Sequence, residues 1–270
     1  MSDPVKIGVL GADGRMGRAV VKAISRNARA TLTAALTAPN AATLGKDAGT
    51  VAGIEPCGVL MSDDIAAGLA DCDVLIDFSR PQAAIDTVLA MHGTKCQTFV
   101  TGTTGYSDTE AKALTEAAGG ITLLQSGNFS LGVNLLEVLV EHAARALGPD
   151  WDIDIAEQHH KHKIDSPSGT ALMLGEAAAK GRGKTLSDIR APIRELSDAP
   201  RKDGDIGFSA IRGGDIIGVH DVHFINPLET LMLSHRAGDR SLFAVGAVTA
   251  ALWAVQQKAG RYTMRDVLGL

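Results

Sequence analysis

From the start of the chain to about residue 129, short runs rich in Val, Ile, Leu and Ala alternate with helical patterns. That alternation is the mark of βαβ units building a parallel sheet. It predicts strands near Lys6 to Leu10, Thr31 to Thr37, Val74 to Phe78, Thr98 to Thr101 and Ile121 to Gln125. Pro81 suits the first turn of a helix after the third of these strands, and Ser107 followed by Glu110 makes a capping box for the helix after the fourth. Residues 130 to 147 carry apolar side chains at helical spacing until Gly148 and Pro149 stop them. From Trp151 the texture changes. WDIDIAEQ and the stretch from Asp205 to Ala237 alternate as strands do, around a helical segment from Gly169 to about Lys180. Residues 181 to 205 are polar and rich in Gly and Pro, an exposed excursion by composition, and the last stretch, SLFAVGAVTAALWAVQQKAG, reads as an amphipathic helix able to pack back on the first domain.

With 270 residues, 45% hydrophobic and 21% charged, the chain has material for one large domain or two coupled ones with substantial cores. A net charge of −5 gives no basis for broad adhesion to nucleic acid or an anionic membrane, and 2 Trp, 2 Tyr and 6 Phe leave few platforms for stacking bases. Cys57, Cys72 and Cys96 lack the spacing of a zinc site or a disulfide framework and read as reduced thiols. MSDPVKIGVLG lacks the basic and long apolar regions of a signal peptide, and no run of about 18 apolar residues occurs, so the expectation is a cytoplasmic protein without a membrane span.

The first strand runs into Gly11, Ala12, Asp13, Gly14, Arg15, Met16 and Gly17, followed by a helical pattern. Glycines there let backbone N–H groups approach a pyrophosphate while the helix start directs its dipole at the anion, so a dinucleotide belongs at this turn. The spacing is GxxGxxG, with Asp13 where the stricter fingerprint has glycine, and a tight turn without ligand fits the same letters. Thr37 and Ala38, at the end of the second strand, supply neither the acid that accepts a ribose 2′-OH nor an arginine for a 2′-phosphate, which leaves NADH and NADPH both open. Gly102, Thr103 and Thr104 follow the fourth predicted strand, and Ser126, Gly127, Asn128 and Phe129 follow the fifth, at the carboxyl ends where open α/β sheets place ligands.

The densest polar chemistry lies in EQHHKHKIDSPSGT. Three histidines and two lysines fall between His159 and Lys163, and the segment then reaches Ser168, which can cap a helix whose first N–H groups, at Gly169 and Thr170, suit a carboxylate. If the strand continued here, His159, Lys161 and Lys163 would share one face and His160 and His162 the other. A small di-anion site and a solvated basic turn both fit. A metal site is disfavoured by the lysines beside the histidines. His223 and His235, on later strands, read as structural.

Taken together, GADGRMGR, IDFSRP at residues 76 to 81, TGTTG at 101 to 105, GNFS at 127 to 130 and EQHHKHKIDSPSGTA at 157 to 171 resemble the 4-hydroxy-tetrahydrodipicolinate reductase (dihydrodipicolinate reductase) family of lysine and diaminopimelate biosynthesis over nearly the whole chain. The resemblance implies an α/β protein: an N-terminal Rossmann-like dinucleotide-binding domain, residues 1–129 plus 241–270, and a second α+β domain on an open mixed sheet, residues 130–240, for substrate binding and homotetramer assembly. It implies NADH or NADPH as cofactor, held by Gly11 to Met16, Gly102 to Thr104 and Ser126 to Phe129. It further implies a di-acid substrate bound by His160, Lys163, Ser168, Gly169 and Thr170, with His159 as general acid/base and Lys163 as proton donor. The remaining alternatives are another NAD(P)-dependent oxidoreductase acting on a small carboxylate and a non-catalytic dinucleotide sensor.

Overall fold

The computed structural model describes residues 3–192, 198 and 200–270, and divides into two compact units, Met1–Ser130 with Ser241–Leu270, and Leu131–Arg240. In the first, β1 (Val5–Leu10), α1 (Arg15–Ser25), β2 (Ala30–Leu36), α2 (Ala48–Ala52), β3 (Met61–Ser62), α3 (Ile65–Ala70), β4 (Val74–Asp77), α4 (Pro81–Met91), β5 (Thr98–Thr101), α5 (Asp108–Ala117) and β6 (Thr122–Gln125) follow in order. The second unit holds α6 (Leu131–Leu147), β7 (Asp152–His159), α7 (Gly169–Gly181), α8 (Leu186–Ile189), β8 (Ile206–Arg212), β9 (Val219–Ile225) and β10 (Thr230–Arg236). The chain then returns to the first unit with α9 (Ser241–Ala254), β11 (Gly260–Tyr262) and α10 (Met264–Leu268).

The first unit's sheet runs β11-β6-β5-β4-β1-β2-β3 with every pair parallel. This is a Rossmann-like doubly wound order, and it reverses between β1 and β4, where such sheets take their ligands. The five strands read from the sequence are present within a residue at each end. Two more, β3 and β11, occupy the edges and at two and three residues are too short to carry periodicity. The Ser107–Glu110 capping box and Pro81 in the first turn of α4 are both present. A core of Leu10, Leu36, Leu75, Val88, Phe99 and Leu114, among others, lies between one sheet face and α3 to α5.

The amphipathic reading of the last long helix is corrected. In α9 Ala244, Gly246, Ala247, Val248, Ala250, Ala251, Leu252 and Ala254 are all buried, around most of the circumference. The helix is enclosed by α1 on one side and β4 and β5 on the other, and a helix apolar all round belongs inside. Its closest approach is at Gly246, where any Cβ would collide with the Phe129 carbonyl oxygen.

The second unit's sheet is mixed, β10-β9-β7-β8, with β7 parallel to β8 and antiparallel to β9. α6 and α7 cover one face, burying Ile153, Ile155, Ile206, Val222 and Phe224 with Leu136, Val140 and Leu174. Gly148 ends α6 just beyond Leu147 with φ +73. The excursion over 181–205 is only partly as expected. Leu186 and Ile189 enter the core, and Arg201 bridges back to Asp152 at 3.0 Å and Asp154 at 3.1 Å on β7. Residues 193–197 and 199 of that excursion lie outside the described residues. Cys72 and Cys96 are buried free thiols, with Cys96 pushed up to about 12 by burial, and Cys57 is exposed.

The Gly246 contact yields a test of sign. Gly→Ala inside a helix ordinarily gains about 1 kcal/mol in propensity. Here the collision with a backbone carbonyl outweighs that, and Gly246→Ala is expected to lose about 1–3 kcal/mol of stability. Val245→Ala, at a position 51% exposed, is expected to stay within about 0.5 kcal/mol in the same urea titration.

Candidate functional site

In the first unit the three loops named from the sequence meet at Phe78, just past β4. Gly11 takes φ +75, and a Cβ there would stand 2.7 Å from the Phe78 carbonyl oxygen. A Cβ at Gly102 would run into the Phe78 ring. That ring in turn meets Phe129 edge-on, with centroids 5.7 Å apart. The turn between β1 and α1 is closed by Gly14 N–H to Gly11 O at 3.0 Å and tied to β2 by Ala12 N–H to Leu36 O at 2.9 Å. Gly14, the N-cap of α1, has no side chain to offer the helix's first N–H groups, and the first turn holds no acid. A bare, cation-like helix start behind a glycine too crowded for a side chain is the shape a pyrophosphate requires, so these residues fit a dinucleotide.

What fixes the next loop is Asp77, which the sequence reading passed over. Its carboxylate is fully buried and takes Ser79 Oγ–H at 2.5 Å and Ser79 N–H at 2.8 Å on Oδ1, and Thr101 and Thr103 hydroxyls at 2.7 and 2.8 Å on Oδ2. Burial pushes the carboxyl up from its usual range, against the pull of those donors. Of the loop residues named from the sequence, Thr103 therefore spends its hydroxyl inside the protein, while Thr104 and Arg15 are exposed. Ser126 Oγ donates to Asn128 O at 2.7 Å, and Asn128 Oδ1 accepts Ser130 N–H at 2.9 Å, which shapes the turn that carries Phe129. An aspartate closing the apolar run VLID was the available signal.

In the second unit β7 ends at His159, so the shared faces that a longer strand would give do not form. Lys163 N–H bonds His160 O at 3.1 Å and turns the chain, because Lys161 N–H pairs with Gly214 O rather than extending the ladder. Along β7, Ile153, Ile155, Glu157 and His159 point into the core face. Glu157 is fully buried and is the centre of the site. Its Oε1 accepts Arg212 Nη2 at 2.6 Å and Ser168 N–H at 3.1 Å, and its Oε2 accepts Arg212 Nη1 at 2.8 Å and His159 Nδ1 at 2.6 Å. Burial alone would raise the Glu157 carboxyl, but the Arg212 guanidinium and His159 outweigh it and hold the group below its usual range.

Ser168 caps α7 by accepting Ala171 N–H at 3.2 Å and shares a hydrogen bond of 3.1 Å with His220 Nε2. Its hydroxyl is thus engaged inside the protein, and Gly169 and Thr170 stand ahead of it at the helix start. His220 lies edge-on to His159 with centroids 5.2 Å apart and is pushed down to about 4 by burial, then by the neighbouring His159, so it stays neutral. Arg212 also donates to Asp165 O at 2.7 Å, and the Asp165 carboxylate receives Lys163 Nζ at 2.8 Å. Hydrogen bonds therefore join Lys163, Asp165, Arg212, Glu157, His159, Ser168 and His220 in one network. His160 and His162 rings lie 6.3 Å apart on the turn, and His160 is held below its ordinary value by desolvation and by Arg240, His162, His159 and Lys163. His223 sits on β9, and His235 on β10 is the cross-strand partner of His220.

The sequence reading missed Glu157, Arg212 and His220. An acid at a buried position of an alternating strand is a legible signal for Glu157. Arg212 and His220 arrive through strand pairing, His159 opposite Arg212 and Glu157 opposite His220, which no local pattern gives.

Comparison with known proteins agrees along both halves. Residues 5–129 match the family described as dihydrodipicolinate reductase, N-terminus, and residues 132–268 the one described as dihydrodipicolinate reductase, C-terminus. The chain is 49% identical over 269 residues to a 4-hydroxy-tetrahydrodipicolinate reductase of Rhizobium rhizogenes, covering 99% of this chain and 98% of that one. It is 48% identical over 267 residues to that of Allorhizobium ampelinum, covering 98% of each. Among solved structures it is similar in fold to a dipicolinate-bound dihydrodipicolinate reductase from Paenisporosarcina sp. TG-14, with TM-score 0.75 and 21% identity over 96% of this chain and 97% of that one. An amine dehydrogenase from Mycobacterium smegmatis, with TM-score 0.60 and 13% identity over 98% and 95% of the two chains, shares the fold more loosely. The chain belongs to the dihydrodipicolinate reductase family.

Proposed function

We propose that this protein uses NADH or NADPH to reduce 4-hydroxy-2,3,4,5-tetrahydrodipicolinate to 2,3,4,5-tetrahydrodipicolinate with loss of water, a step of lysine and diaminopimelate biosynthesis. The observation that carries the reading is the end of β7, where His159, the cationic turn from His160 to Lys163 and the start of the 13-residue helix α7 come together in a chain that matches this family along both halves. When bound, the reduced nicotinamide supplies the hydride. The turn from Gly11 to Gly17, with Gly102 to Thr104 and Ser126 to Phe129, holds the dinucleotide, with Thr103 shaping its loop through Asp77.

His160, Lys163, Gly169 and Thr170 hold the two carboxylates of the substrate, and Ser168 presents the helix start rather than touching the substrate with its hydroxyl. Adding hydride to a conjugated imine builds negative charge at its far atoms. His159 and Lys163 answer that charge, His159 as general acid/base and Lys163 as proton donor and fixed cation. The domain roles follow: residues 1–129 with 241–270 bind dinucleotide, and residues 130–240 bind substrate and carry the contacts of a homotetramer. The second unit's sheet face opposite α6 and α7 supports that assembly, with Ile211 on edge strand β8 and Met232 on the opposite edge strand β10 each 54% exposed on it.

A coupled assay with freshly generated substrate tests the reaction directly. Turnover is expected with both dinucleotides, at efficiencies within roughly tenfold, since Thr37 and Ala38 neither attract nor repel a 2′-phosphate. Failure with both would remove the assignment. His159→Gln is expected to lower kcat by about 10²–10⁴-fold, the usual worth of general acid/base help, with dinucleotide affinity by fluorescence titration unchanged.

A further inference from the structure

Glu157 has a use beyond neutralising Arg212, and it follows from counting protons. A carboxylate offers only acceptors, and this one is ionised, with four donors converging on it: both Arg212 Nη atoms, Ser168 N–H and His159 Nδ1. Arg212 is protonated throughout the working range, and a backbone N–H cannot accept. At 2.6 Å from Oε2, His159 Nδ1 must therefore be the nitrogen that carries hydrogen, which leaves Nε2 as the atom that gives or takes a proton.

The rest of the surroundings hold the ring to that orientation. Two residues earlier on the same strand, Glu157 shares His159's face, so strand geometry alone delivers the pairing. His220 packs edge-on against the ring at 5.2 Å without adding a second charge, being neutral. Beside Nε2 the chain has Gly218, where a Cβ would stand only 3.2 Å away, so any side chain at this position would crowd that nitrogen. The same carboxylate bonds Ser168 N–H immediately ahead of α7, so one anion sets both the imidazole and the helix start.

We propose that Glu157 is the positioning residue of the site, fixing His159 as its Nδ1–H tautomer with Nε2 turned to the reacting group. The proposal rests on His159 being the acid/base of the reaction, and its test separates the two. Two-bond ¹⁵N–¹H correlation spectra of ¹⁵N-histidine-labelled full-length protein read the tautomer without any turnover, and His159→Gln identifies the His159 signal by deleting it. Wild-type protein is expected to show Nδ1–H; a dominant Nε2–H form overturns the proposal outright, whatever any variant does. In Glu157→Gln the amide can donate to Nδ1, so the Nε2–H form is expected to gain, with kcat down by about 10²-fold or more. An unchanged tautomer in that variant also overturns the proposal. A tautomer that switches while kcat holds keeps the proton count for Glu157 and removes His159 from the chemistry, so the fault then lies in the functional reading.

Discussion

A carboxylate with no solvent exposure is the charge around which the second unit is arranged. Taking Glu157 out of water costs several kcal/mol, and losing one partner of such a buried pair costs about 3–5 kcal/mol, so the ends of the hydrogen bonds are not free to drift. Arg212 closes the pair from β8, the neighbouring parallel strand, and reaches on to the Asp165 carbonyl, which pins the turn that carries Lys163. His159 and Ser168 take the remaining acceptor positions. A basic turn that would otherwise be a solvated loop is held to one geometry by a single buried anion.

The first unit solves a different problem by close approach. Its cradle needs backbone near backbone, and residues without side chains stand where Phe78 and Phe129 crowd in from β4 and from the turn after β6. Asp77 does for the Gly102 loop what Glu157 does in the second unit, with hydroxyls and N–H groups in place of a guanidinium. The difference suits the proposed ligands. A dinucleotide phosphate is met by neutral N–H groups and a helix dipole, whereas a small di-acid calls for formal cations. α9, returning from the end of the chain, backs the Phe129 turn through the contact at Gly246.

Local pattern made much of this legible. Alternation gave the strands of the parallel sheet, and the glycine turn and the run from His159 to Thr170 pointed to the two candidate sites, because each of those features is written in consecutive residues. What escaped was set by pairing across the sheet. Arg212 lies 55 residues from Glu157, and its role depends on β8 running parallel to β7 in one register. His220 was hidden for the same reason, opposite Glu157 on an antiparallel strand. The edge strands β3 and β11 were too short to show a period, whereas α9 carries apolar residues nearly all round in its own sequence, so its enclosure was legible and the amphipathic reading missed it.

The central claim is that the cationic turn and the start of α7 bind a di-acid. The most direct test is calorimetric titration of dipicolinate into the NADH-bound protein, for the wild type and for Lys163→Ala. The account predicts binding to the wild type and at least tenfold weaker binding to the variant, about 1.4 kcal/mol, with NADH affinity the same in both. Equal dipicolinate affinity in the two proteins, or no binding to either, would contradict it.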